Sequence, residues 1–144
     1  MAKEFAWRSL KGDKRGVAAV EFAIVLPVFV AMLFGMLCYG TYLSVVHGVQ
    51  QLTAEAARAS VGGMTDAERA AIARTNITSN VGSYIFLSAP QLTITQAATD
   101  PATSTFTVTV RYDASNMFVF NLPSLVPMPS PIIVRTAAIQ RGGY

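Results

Sequence analysis

Residues 22–46 read FAIVLPVFVAMLFGMLCYGTYLSVV, running from Phe22 to Val46 without a charged side chain. About 25 uncharged positions exceed the roughly 20 that a helix needs to cross the hydrocarbon core of a bilayer, so the stretch predicts a transmembrane helix. Its flanks set the direction. Lys3, Arg8, Lys11, Lys14 and Arg15 crowd the N-terminal side, whereas no lysine or arginine follows the run until Arg58. This asymmetry places residues 1–16 in the cytoplasm and the C-terminal part outside.

The helical pattern continues past the apolar run. Val45, Val49, Leu52, Ala56 and Ala59 recur at four- and three-residue steps on one face, with Gln51, Glu55 and Arg58 on another. Gly62-Gly63 ends the element, since glycine costs about 1 kcal/mol inside a helix and readily serves as a C-terminal cap. A continuous helix from Val17 to Ser60 would measure about 66 Å, roughly twice the bilayer core. Thr65-Asp66-Ala67-Glu68 reads as a capping box opening a second helix, whose buried stripe is Ala70, Ala73, Ile77 and Val81.

After Pro90 the period changes to two. Leu92 and Ile94 alternate with Thr93 and Thr95, and Phe106, Val108, Val110 and Tyr112 alternate with Thr107, Thr109 and Arg111. These are two strands of an antiparallel hairpin, joined across Thr99-Asp100-Pro101. Residues 121–131 hold four prolines and read as a loop, after which Ile132 to Gln140 forms a third strand. The expected fold is α+β: a long N-terminal transmembrane helix extending into a small periplasmic domain with a second helix and a three-stranded antiparallel sheet. Residues 1–16 form a basic cytoplasmic leader, 17–47 the transmembrane helix and 48–144 the periplasmic domain.

Composition agrees with a membrane segment: 52% of the 144 residues are hydrophobic, and the mean hydropathy is +0.42. The net charge of +3 belongs entirely to residues 1–16, because the six arginines and six acids beyond Gly16 cancel. A nucleic-acid partner therefore has no basic patch to meet. Cys38, the sole cysteine, lies in the apolar run as a packing residue, and His47, the sole histidine, sits at the membrane exit. Neither belongs to a ligand cluster. With no Gly-x-Ser-x-Gly, phosphate loop or convergent carboxylate pair, the chain reads as a non-enzyme, with no cofactor, metal or small-molecule substrate.

Ahead of the apolar run stands Lys14-Arg15-Gly16-Val17-Ala18-Ala19-Val20-Glu21-Phe22. The run is too long for the core of an ordinary secretory signal. Glu21 needs a reason, because a carboxylate at the edge of a bilayer is costly unless hydrated or paired. Two readings stand side by side. Cleavage between Gly16 and Val17 would expose an α-ammonium on Val17, and Glu21 of one subunit could pair with that group on its neighbour in a filament. Alternatively, Glu21 rests at the headgroup level.

Gly16 through Phe22, followed by Ala23-Ile24-Val25-Leu26-Pro27, resembles the signature of TadE-like pseudopilins: basic residues and Gly, a small-residue run, Val-Glu-Phe, an apolar stretch and Pro. The resemblance continues through Gly35, Tyr39-Gly40 and Gln50 to Ala56-Ala57-Arg58-Ala59, about the first third of the chain. It implies a tight-adherence (Tad/Flp) pilus system, with Gly16 and Val17 flanking the bond cut by a prepilin peptidase. Glu21 and Phe22 would then serve recognition and assembly. Cys38 departs from the acidic residue that often precedes the aromatic-Gly pair, and Phe22 stands where major pilins usually carry Tyr. Major pilins are also much shorter, which implies a minor component.

Pro27 cannot donate to the carbonyl of Ala23, so it either kinks or loosens the helix, as would suit extraction into a filament, or is simply tolerated there. Gly40, Ser44 and Gly48 form a small-residue ridge suited to helix packing. Asp113-Ala114-Ser115-Asn116-Met117 partly matches the Asp-x-Ser-x-Ser metal motif of von Willebrand A domains. It lacks the last serine and is read as a turn. Asn76-Ile77-Thr78 is a glycosylation sequon on a predicted helix.

The function expected from these readings is that of a minor pilin or pseudopilin of a tight-adherence type IVb pilus, acting in pilus assembly, adherence or secretion. Its partners would be a prepilin peptidase, other pilins of the system and inner-membrane lipid. It would sit in the bacterial inner membrane with its N-terminus cytoplasmic, and enter a surface pilus if it is a filament subunit. The alternative is an uncleaved single-pass adaptor whose periplasmic domain binds another envelope or secretion component.

Overall fold

The computed structural model describes residues 14–121, 127 and 129–140, without the side chains of residues 14 and 15. Most of the basic leader, residues 1–13, and part of the proline-rich loop lie outside the described residues. The element order is α1 (Lys14–Ala59), a 3-10 turn (Ser60–Gly62), α2 (Asp66–Asn80), 3-10 turns at Val81–Ser83 and Ala89–Gln91, β1 (Leu92–Asp100), β2 (Thr105–Asp113), a 3-10 turn (Phe118–Phe120) and β3 (Ile132–Gln140). The fold is α+β, as the periodicities predict.

The chain divides into two compact units, one ending at Cys38 and the other beginning at Tyr39. The first is helical throughout its described part, and its large apolar side chains, from Val17 and Phe22 to Phe34 and Leu37, face outward. Among the described residues α1 alone is long and apolar enough to cross a membrane. Exposed leucine, valine and phenylalanine on every face are what a helix shows when lipid is its solvent.

The second unit has a conventional interior. Val45, Val49, Leu52 and Ala56 on α1 and Ala73 and Ile77 on α2 are buried with Phe106, Val108, Val110 and Tyr112 on β2 and Ile133 on β3. Each large member contributes about 1.5–3 kcal/mol by leaving water. Ala59, the last residue of the predicted α1 stripe, is only half buried. Two hydroxyls lie inside with this core: Thr53 Oγ1 donates to the Val49 carbonyl and Ser60 Oγ to that of Ala57, each at 2.6 Å. Both are thereby satisfied within the helix.

The capping box opens α2 as expected. Thr65 Oγ1 accepts from the Glu68 amide at 3.2 Å, and Glu68 Oε2 accepts from the amides of Met64 (2.8 Å) and Thr65 (3.2 Å). The end of α1 differs in mechanism. Gly63 has φ −77°, ordinary for any residue, so no left-handed glycine cap is present there. Its lack of a side chain serves a close approach instead: a Cβ would lie 2.7 Å from both the Cγ and the backbone nitrogen of Arg69.

The sheet is an antiparallel meander in the order β1-β2-β3, each strand nine residues long. Ile94 pairs with Val110 but Gln96 with Thr109, so Thr95 forms a bulge. This extra residue shifts the phase of β1. Leu92 and Ile94 face the core before it and Ala97 after it. The hairpin turn falls at residues 101–104, slightly later than the predicted Thr99-Asp100-Pro101, and Ser104 takes a positive φ of 52°.

Candidate functional site

The segment expected to carry processing and assembly lies in the first turns of α1. Val17, Glu21 and Phe22 are all exposed, and no heavy atom stands within 4 Å of where a Gly16 Cβ would be. Helical spacing puts Val17 and Glu21 on one face, about 6 Å apart along the axis. The Gly16–Val17 peptide lies within α1, close to Lys14, the first described residue. Among the described residues, Glu21 makes no side-chain hydrogen bond and is free for an external partner.

The other expected positions are separated by their surroundings. α1 is unbroken through Pro27. Gly40 and Ser44 are exposed, with open space beside Gly40. Gly48 is buried by its own chain: a Cβ would meet Tyr84 Cδ1 at 3.3 Å and Leu87 Cδ1 at 3.4 Å. Of the small-residue ridge, then, Gly40 and Ser44 face outward and Gly48 seats the loop after α2.

Around Tyr39–Gly48 several loops are pinned to α1. The Tyr39 hydroxyl donates to the Pro127 carbonyl, and the Tyr42 hydroxyl donates to that of Ser130 at 3.3 Å. The Tyr42 ring also meets Phe120 edge to face, with centroids 6.2 Å apart. Tyr112 ties down the loop that covers Gly48: its hydroxyl donates to the Phe86 carbonyl at 3.2 Å and accepts from the Ser88 amide at 3.3 Å. Burial raises the Tyr112 pKa above its usual 10.0, against the opposing pull of the Ser88 amide. Tyr84 is raised likewise, by burial and then by the Glu55 carboxylate beside it. Sequence reasoning used Tyr39 only within the family resemblance and Tyr112 only as an apolar position of the second strand, and it gave Tyr42 and Tyr84 no role; aromatic residues at the end of an apolar run were the available signal.

Asp113-Ala114-Ser115 is a turn. Asp113 Oδ1 accepts from the Ser115 amide at 2.9 Å, and hydrogen bonds from Ser115, with Arg111 nearby, hold the carboxyl below its ordinary 3.8. An open cleft of about 320 Å³ lies beside it, lined by Pro90, Gln91, Thr93, Arg111, Asp113 and Ser115 among others. It holds one carboxylate, already engaged, so it offers no acid–base pair. No three His, Cys, Asp or Glu side chains converge among the described residues. Asn76 of the sequon lies within α2.

Residues 16–58 match the family described as TadE-like protein. The match begins at the glycine before Val17 and ends at Arg58, so it covers all of α1 except its first two residues and its last, and none of α2 or the sheet. The apolar helix inside this part of the chain fits a single-pass membrane protein. No curated protein and no solved structure matches the chain.

Proposed function

We propose that this chain is a minor pseudopilin of a tight-adherence pilus, cut between Gly16 and Val17 by a prepilin peptidase and anchored through α1, with residues after about Gly48 on the periplasmic side. The observation that carries this reading is the TadE-like match over residues 16–58, which starts at the proposed cleavage position and takes in Glu21, the apolar run and Pro27. Exposed Val17 and Glu21 on one helical face supply the chemistry. After cleavage the Val17 ammonium and the Glu21 carboxylate of adjacent subunits cancel charge where lipid and packed helices disfavour either alone. Gly40 and Ser44 leave room for a neighbouring helix.

The test is the N-terminus of the membrane-bound protein, read by mass spectrometry from cells with and without the peptidase. A chain beginning at Val17 only when the peptidase is present supports the reading. An intact Met1 in both strains sinks it in favour of an uncleaved adaptor. Replacing Gly16 with a bulky residue should block cutting and leave insertion intact, because the apolar run is unchanged.

A further inference from the structure

The two outer strands of the sheet end in unlike edges. β1 carries the bulge at Thr95, and its far end is tied to α2 by the bond from Thr99 Oγ1 to Asp66 Oδ1 at 2.7 Å. A bulged edge resists pairing with a foreign strand. β3 pairs with β2 without interruption from Ile132 to Gln140 and contains no proline, and among the described residues no strand lies beyond it.

Which backbone groups face that open edge follows from the ladder. The Ala114 amide donates to the Pro131 carbonyl at 2.9 Å, one step beyond the pair Asp113 and Ile132. Bonded pairs alternate along an antiparallel ladder, so Ile133, Arg135, Ala137 and Ile139 turn their N–H and C=O groups toward β2. Ile132, Val134, Thr136, Ala138 and Gln140 turn theirs outward. Side chains close the first part of this edge. Ser130 Oγ accepts from the Ile132 amide at 3.2 Å and donates to the Ile132 carbonyl at 3.5 Å, and Arg135 Nη1 donates to the Val134 carbonyl at 2.9 Å. Thr136, Ala138 and Gln140 are exposed, and among the described residues no side chain covers their outward backbone groups.

We propose that the edge from Thr136 to Gln140 is a strand-addition site, which takes up an extended segment of another protein in antiparallel pairing. Outward N–H and C=O groups repeating at strand spacing are matched residue for residue only by another extended backbone. The flanking side chains set its chemistry. On the core side Ala137 and Ile139 are half-buried against the core, so the residues opposite them are apolar. On the outer side Thr136 Oγ1 lies 3.1 Å from Thr109 Oγ1, a row that further hydroxyl residues extend. Arg135 forms no ion pair among the described residues. An acidic residue opposite it draws the guanidinium off the Val134 carbonyl and releases that carbonyl for one more bond. A second copy of β3 fits less well. Paired about Ala138, it sets Arg135 opposite Arg141; paired about Ala137, it needs the Val134 carbonyl and brings no acid to release it. The inference concerns the second unit alone, whatever the processing or anchoring of α1.

The experiment uses the full chain in detergent micelles, with amide hydrogen exchange read residue by residue by NMR. The probe is the synthetic peptide acetyl-Thr-Val-Thr-Val-Thr-Glu-Thr-amide, running antiparallel from opposite Gln140 to opposite Val134. In the chain alone the amides of Thr136, Ala138 and Gln140 should exchange fast and those of Ala137 and Ile139 slowly. With peptide at about ten times its dissociation constant, the three outward amides should slow about tenfold. Lys in place of the peptide's Glu should weaken binding several-fold, and equal binding of the two overturns the assignment of an acidic partner. N-methylation of the peptide's third and fifth residues, whose amides face β3, should abolish binding, whereas N-methylation of the second and fourth should not. Ala138→Pro should also abolish it with little change in thermal midpoint, because the N–H lost takes no part in the ladder with β2. Ala138→Val should bind as the parent does. Outward amides already slow without peptide would mean a covered edge, by a second copy if protection grows with chain concentration, and either result overturns the inference. Exchange unchanged by the peptide overturns it, as does binding that survives Ala138→Pro or methylation of the third and fifth residues. If Ala138→Pro does not fold, the two methylated peptides decide the question on the native chain.

Discussion

A methyl group at Gly63 would collide with the Cγ and backbone nitrogen of Arg69, whose Nε donates to the Gly63 carbonyl at 2.9 Å. The backbone there is unstrained, so the penalty of Gly63→Ala is purely one of space, about 1–3 kcal/mol. Gly62→Ala, one residue earlier with nothing within 4 Å, should be neutral or stabilise by less than about 1 kcal/mol. Urea denaturation of the two variants in detergent, followed by circular dichroism, checks the contrast. The sequence marks both glycines equally as a helix stop, and only the packing of α2 tells them apart. Asp113 gives a second prediction at this scale. Its pKa in the folded chain lies below the ordinary 3.8, so the unfolded chain binds the proton more tightly. The stabilisation is present above about pH 4 and lost as pH falls through the lower folded value. Asp113→Asn removes this dependence, so its unfolding midpoint should vary less than the parent's below pH 4, with little difference at pH 7.

The bulge at Thr95 makes the strands unequal in their tolerance of deletion. Because Ala97 faces the core only through the extra residue before it, deleting Thr95 yields a regular ladder with Leu92, Ile94 and Ala97 still inside. Deleting Thr107 from β2 has the opposite result: either Phe106 or the set Val108, Val110 and Tyr112 must turn to the outer face. At about 1.5–3 kcal/mol per side chain, that loss is a large fraction of the 5–15 kcal/mol by which small domains are stable. The Thr95 deletion should keep a thermal midpoint near the parent's, and the Thr107 deletion should lower it markedly. Elements were legible where their signals are local. The extent of α1, the Thr65–Glu68 capping box and the alternation of β2 each depend on residues a few positions apart. The bulge in β1 and the grip of Tyr39 and Tyr42 on residues 127 and 130 join positions 14 to 88 apart in sequence, and no short window contains them. Within the candidate site, the Gly16–Phe22 string was visible as a motif, whereas the enclosure of Gly48 by Tyr84 and Leu87 required the fold.

For the molecule as a whole, Glu21 should matter to association and not to the folding of the second unit, since it lies outside that unit and its core. Glu21→Ala should leave the thermal midpoint of the second unit unchanged and abolish pili. Stranding a buried partner charge typically costs about 3–5 kcal/mol, enough to prevent a subunit from joining. Glu21→Gln keeps shape and hydrogen bonding without charge and separates electrostatic pairing from packing. Wild-type piliation in both variants would remove Glu21 from assembly altogether. The order β1-β2-β3 has a consequence for how the protein is made. Each strand pairs with the one synthesised just before it, and the helices that cover the sheet precede all three. A chain made from its N-terminus can therefore fold in the order in which it emerges, with no early strand waiting for a distant partner and little time for an open sheet edge to find the wrong one.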